Sequence, residues 1–196
     1  MENLISLFLI MNNEILDSDF SSENAKSYAF ASFGSRLGAS IVDTLVFVPL
    51  IVLMFYNMTE WKNYPLQVLI LLGNGAYKPL MEGIYGATLG KMALNIRVVT
   101  DNYEPIDMEK SVIRNVFYIA SYLVSFLGSW IIFNAEGFDE VTTFLEFGEF
   151  SQTANSLESF EQIVNLVLLL SCLLVAFDRQ NQSVHDKIAK TFVVEK

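Results

Sequence analysis

Arg36 and Asp43 sit in a stretch that is otherwise mostly apolar, and the run from Thr44 to Thr59 that follows holds no charge at all. Seven residues apart, the pair shares one face of a helix, about 10 Å apart along its axis. An ionised aspartate near a bilayer centre costs at least ~2.5 kcal/mol, so Asp43 should face a bundle interior. Two readings follow: a site for an ion or a proton, with a carboxylate tuned by burial and a nearby cation, or a structural pair that locks the first helix to its neighbours. Lys78 and Glu82, four residues apart, can pair along a helix. Pro79 removes a backbone hydrogen bond beside them, and Gly73 and Gly75 loosen the turns above, as in broken helices that line a cavity. The alternative is a helix ending near Tyr77, with both charges at the membrane interface.

Further along, Gly86-Ala-Thr88-Leu-Gly90-Lys91 has the look of a phosphate loop but lacks its spacing, its Ser or Thr after the lysine, and a preceding strand. It reads better as a turn into an interfacial helix over Leu89 to Asn95, with Lys91 near lipid headgroups. His185-Asp186 suggests a dyad. With one His and one Cys in the chain, neither a histidine metal cluster nor a nucleophile–base pairing is evident. A structural latch fits better. Ser183 or Asn181 caps a short helix from Val184 to Lys190, and Asp186 pairs with Arg97 or Arg114. Cys172, flanked by leucines, reads as a buried, inert thiol.

The elements that must carry these residues are set by composition. Of 196 residues, 53% are hydrophobic and 17% charged, and mean hydropathy is +0.40. A soluble domain carries roughly 25% charged residues. The chain is therefore expected to be an all-α membrane protein, since a span needs about 20 apolar residues. Four spans are predicted, over 33–56, 65–85, 112–134 and 161–177. Short cytoplasmic interfacial helices accompany them, and β-branched Ile96–Thr100 and Thr191–Glu195 are suited to a small two-stranded pairing. Residues 1–32 form a cytoplasmic segment with a short apolar interfacial helix (Leu4 to Met11) and an acidic linker. Ten of the twelve basic residues then fall on one side, while the outer loop, residues 135–160, carries acids and aromatic residues suited to a surface-lying amphipathic helix. Both termini are thus placed in the cytoplasm. A net charge of −10 argues against nucleic acid as a partner.

Arg36 with Asp43, the Gly86–Lys91 turn followed by Asn95-Ile-Arg97, Arg114 at the foot of the third span, and the closing Asp178 to Val194 motif recur in order. In this the chain resembles the RDD family of bacterial membrane proteins, named for one arginine and two aspartates. The resemblance assigns the family arginine to Arg36, the first aspartate to Asp43, and the second to Asp186 or Asp178. Two features depart from the family pattern: the Thr100–Tyr103 turn lacks a glycine, and the acidic outer insert is long. The resemblance implies an inner-membrane protein of unsettled activity, with transport of an ion or solute as the usual suspicion. Cation/proton exchange through Asp43 and Arg36, along a path that includes Lys78 and Glu82, is the leading expectation. It involves no enzyme chemistry, cofactor or metal, and with four spans it requires a homo-oligomer in the lipid bilayer. The alternative is a non-catalytic assembly or regulatory subunit that docks on another membrane protein.

Overall fold

The computed structural model describes residues 29–178 and 180–195. The N-terminal apolar run, the acidic linker, and the basic residues Lys26, Arg179 and Lys196 lie outside them.

Ser32 begins the first long helix by accepting a hydrogen bond from the Ser35 N–H at 3.1 Å, a standard N-cap. α1 then runs over Phe33–Tyr56 and continues as a π-turn over Asn57–Trp61. Lys62, in the left-handed region at φ 49°, ends it. Asn63 caps α2 (Tyr64–Tyr85), with Pro65 in its first turn, where no N–H is missed. α2 passes through Pro79 without ending, so Lys78 and Glu82 both lie within the helix and not beyond it. Gly86, at φ +71°, closes it by donating its N–H to the Glu82 carbonyl at 2.9 Å.

Three short elements follow: α3 (Leu89–Ala93), β1 (Ile96–Thr100) and α4 (Met108–Arg114). α5 spans Val116–Phe133. The third span is therefore preceded by a separate helix with a break at Asn115, where the sequence suggested one run from residue 112. After a 3-10 turn at Phe138–Glu140, α6 (Phe144–Ala154) is fixed by a capping box between Thr143 and Glu146. α7 covers Glu158–Leu173, with a 3-10 extension over Leu174–Phe177. It starts earlier than residue 161, which gives the last span the length it lacked. α8 (Val184–Ala189) and β2 (Thr191–Glu195) complete the chain. The two strands pair antiparallel with Val98 opposite Val193, as their β-branched content suggested.

The chain is mostly helical, and its burial pattern is inverted relative to a water-soluble protein. Polar side chains such as Asn57, Gln67, Glu82, Ser129 and Ser171 are buried, whereas Leu45, Val52, Leu69, Leu123 and Leu169 face outward. Such an outer surface needs lipid. Phe33–Trp61, Val116–Phe133 and Glu158–Phe177 are long and apolar enough to cross a bilayer. α2 has comparable length, but Gln67, Asn74, Lys78 and Glu82 lower its apolarity, and it packs against α4 and α5. Cys172 is exposed on α7 and not buried, and it borders a cavity it shares with Arg36 and His185.

One end of the bundle is closed by α3, α4, α8 and the two strands over a core of Ala31, Ala39, Ile96, Val98, Ile106 and Val193. At the other end, Ile132, Phe138 and Val141 pack with Phe133, Phe147 and Phe150 beneath α6.

Candidate functional site

Asp43 does not pair with Arg36. Its Oδ1 accepts from the Tyr77 hydroxyl at 2.8 Å and from the Gly90 N–H at 2.7 Å, and its Oδ2 accepts from the Thr88 hydroxyl at 2.7 Å. The Gly86–Lys91 turn supplies two of these donors. Thr88 also caps α3 by accepting from the Lys91 N–H at 3.4 Å, and Gly90 lets α3 touch the α1 backbone. Tyr77 in turn accepts from the Leu89 N–H at 3.0 Å. Three donors to one carboxylate satisfy its charge without a cation.

Arg36 reaches the other end of the sequence instead. Its Nη1 lies 2.6 Å from Asp186 Oδ2, and Asp186 is fully buried. Arg114 Nη2 approaches Oδ1 of the same carboxylate at 2.8 Å, an ion pair whose alignment falls short of a hydrogen bond. Ser183 builds the rest of this pocket: its N–H donates to Asp186 Oδ2 at 3.0 Å, while its hydroxyl accepts from the Asp186 N–H at 3.3 Å. Of the two proposed capping residues, Ser183 is the one used, and of the two proposed partners in Arg97 and Arg114, Asp186 pairs with Arg114. Burial alone would raise the Asp186 carboxyl; Arg114, His185, Arg36 and the Ser183 amide more than offset it and hold the group below its ordinary range. Asp178 sits apart, 2.5 Å from Lys187 and accepting from the Gln180 and Gln182 amides at 3.0 Å each. Lys187 and these amides hold its carboxyl below the usual range.

Lys78 and Glu82 do not pair either. The Lys78 Nζ lies over the Tyr118 ring, 4.6 Å from its centroid. Glu82 is bound by Lys91, accepts from Asn115 Nδ2 at 3.0 Å, and lies 3.7 Å from Arg114 Nε. Arg114 thus bridges Glu82 on α2 and Asp186 on α8. Lys91 points inward to Glu82 and not toward headgroups; burial and the neighbouring Arg114 push its ammonium down to about 8, against the pull of Glu82. Arg97 lies on β1 and is itself engaged in an interaction.

His185 lies beside this cluster, 29% exposed, with Nδ1 3.3 Å from Ser171 Oγ and Nε2 3.9 Å from Asp186. Burial lowers its pKa to about 4 despite Asp186, and Arg114 and Lys91 add to the effect. It is neutral at neutral pH. The unfolded chain, with an ordinary value of 6.5, then binds the proton more readily. Stability associated with His185 is complete above about 6.5 and is lost as pH falls toward about 4. His185→Gln should flatten that part of an unfolding-midpoint profile in detergent; an unchanged slope would remove His185 as its source.

Three adjoining cavities, each partly open to the outside, lie along the bundle. The outer one, about 340 Å³, is lined by Gln67, Ser125, Asn155, Glu158, Glu161 and Asn165, among others. The middle one, about 440 Å³, shares Met54, Leu71, Ser125 and Asn165 with it and reaches Asp43, Tyr77 and Lys78. The inner one, about 250 Å³, shares Ser40, Asp43, Lys78, Tyr118 and Leu168 with the middle and ends on Arg36, Glu82, Lys91 and Arg114. Asp43 and Lys78 therefore stand at the joint of the two deeper cavities. The sequence reading missed Tyr77, Asn115, Asn165 and the serines of α5. The signal was present: Ser121, Ser125 and Ser129 recur every four residues in a span that holds no charge.

No group of three His, Cys, Asp or Glu side chains suited to a metal ion occurs among the described residues. A polytopic helical bundle with a polar interior, closed at one end by a buried Arg–Asp–Arg latch, defines a membrane protein. Residues 30–190 match the model of the RDD family, and the chain belongs to that family. No curated protein and no solved structure matches it.

Proposed function

We propose that the protein passes a small ion or solute across the membrane through the bundle interior, with Asp43 and Lys78 where the two deeper cavities adjoin. The observation that carries this reading is the run of three adjoining cavities, each lined in part by polar side chains. A merely structural bundle would gain by filling such space with apolar side chains. The outer cavity presents Glu158 and Glu161 and no Lys or Arg, which favours entry of cations, so cation/proton exchange is the form to test first. In this reading Asp43 acts without Arg36 as its direct partner, and Asp186 takes the place of the second family aspartate.

The orientation also belongs to this proposal. Lys91, Arg97, Lys110, Arg114, Lys187 and Lys190 belong to the elements that close one end, and Glu136, Asp139, Glu140, Glu146 and Glu149 lie in the segment that closes the other. Lys and Arg favour the cytoplasmic side, which puts the strand-capped end and both termini inside a bacterial inner membrane. A homo-oligomer in the bilayer would surround the few spans of each chain.

The test is proton flux in proteoliposomes on addition of Na⁺, K⁺ or Li⁺, for wild type and Asp43→Asn. Cation-dependent flux that falls at least tenfold in the variant, with its unfolding midpoint retained, is the expected result. A second reading, an assembly or regulatory subunit docked on another membrane protein, is favoured by the internal donors that already occupy Asp43, Glu82 and Asp186. Absence of flux from well-folded wild type would select it.

A further inference from the structure

The inner cavity holds more donors than acceptors. Asp43 is taken by Tyr77, Thr88 and Gly90, Glu82 by Lys91 and Asn115, and Asp186 by Arg36, Arg114 and Ser183. After these contacts, Nε and Nη2 of Arg36 and Nη1 of Arg114 find no acceptor among the described residues, while Asp186 Oδ1 meets Arg114 only as an ion pair without hydrogen-bond alignment. The side chains of Arg36 and Arg114 are 10% and 4% exposed. Buried guanidinium N–H groups without acceptors are costly, so a native structure that keeps them calls for an explanation. Lys78, on the same wall, forms no ion pair among the described residues and rests on the Tyr118 ring. The charges do not balance: Arg36, Lys78, Lys91 and Arg114 face Asp43, Glu82 and Asp186, leaving one cation in surplus. His185 contributes none at neutral pH.

We propose that the inner cavity binds a phosphate-type oxyanion, held by the unpaired N–H groups of Arg36 and Arg114 and by the Lys78 ammonium. Guanidinium forks match the paired oxygens of a phosphate, and a lysine adds a point charge. The space suffices: about 250 Å³, against the ~30 Å³ that one water occupies in the liquid. Both guanidinium groups line this cavity while holding Asp186. One negative charge would neutralise the surplus cation. The same chemistry has two sources: free phosphate from the aqueous phase, and the phosphodiester of an anionic lipid headgroup entering between the helices.

Binding is measured on the full-length protein in detergent with no gradient, so it stands or falls separately from the transport reading. Delipidated protein is titrated with inorganic phosphate by calorimetry, and native mass spectrometry follows retention of added phosphatidylglycerol. Phosphate binding identifies a free ligand; retention of the lipid with no response to phosphate identifies a headgroup. In either case Lys78→Gln, which leaves every ion pair intact, should weaken binding roughly tenfold or more. Arg36→Lys, which keeps a charge on Asp186 but removes the fork, should do the same. Binding of neither ligand to folded protein overturns the proposal, and so does equal binding in wild type and both variants.

Discussion

Asp186→Asn should lower stability by about 3–5 kcal/mol, the cost of stripping buried cations of their counter-charge. Asp186 is fully buried, with Arg36 at 2.6 Å and Arg114 at 2.8 Å. An asparagine keeps one acceptor but turns an amide N–H toward one of the guanidinium groups. The damage would spread, because this carboxylate joins α1, α4 and α8, and its Oδ2 also receives the Ser183 N–H that starts α8. Asp178→Asn is the control. Its Lys187 partner is 55% exposed, and a pair so open to water contributes at most about 1 kcal/mol. Urea unfolding in detergent, followed by the fluorescence of Trp61 and Trp130, separates the two. Equal midpoints for the two variants would show that the buried latch does not hold the bundle. A paired replacement, Arg36→Met with Asp186→Leu, should recover part of the loss.

The latch shows how far the sequence could be read. That Arg36, Arg114 and Asp186 matter was legible from their placement at span ends and in the closing motif. The Ser183 cap and the strand pairing were legible too, because both are local: a serine three residues before an aspartate, and two β-branched runs. The pairing of the charges was not legible. Arg36 and Asp43 share a helix face by periodicity, yet an arginine side chain follows the nearest desolvated carboxylate, and Asp186 lies 150 residues away. Lys78 and Glu82 failed the same test, since Glu82 had Lys91, Asn115 and Arg114 within reach from elements that no spacing rule brings together. Helical spacing says which side chains could meet along one element. It does not rank them against partners supplied by tertiary contacts.

The cavities were concealed for a related reason. Hydropathy averages a span, and α5 passes as a clean one because serines cost little on such a scale. Their four-residue recurrence only gains meaning once Asn165, Glu158 and Glu161 of α7 are brought opposite, as when Ser121 meets Asn165 at 3.1 Å and Ser125 binds Glu161. Glu158, which the sequence places in the outer loop, and Glu161, at the start of the last span, both line the interior.

Gly90→Ala is expected to disrupt the fold around Asp43 at a cost of about 3 kcal/mol or more, the sum of forced overpacking and lost hydrogen bonds to a buried carboxylate. A Cβ on Gly90 would lie 2.0 Å from the Ala39 carbonyl oxygen and 2.9 Å from Asp43 Cγ. The obstacle is backbone, so no side-chain rotation relieves it; α3 must withdraw from α1. Withdrawal breaks the Gly90 N–H bond to Asp43 and draws Thr88, two residues away, from the same carboxylate. Asp43 would then keep only Tyr77, itself tied to α3 through the Leu89 N–H. Gly73→Ala supplies the contrast: nothing lies within 4 Å of the added methyl, and alanine in a helix interior should raise stability by about 0.5–1 kcal/mol. Both variants differ from wild type by one methyl group on a helical glycine, so unfolding midpoints in detergent isolate the contact. A Gly90→Ala protein as stable as wild type would mean that α3 does not need to touch α1, and that Asp43 is held by its side-chain donors alone.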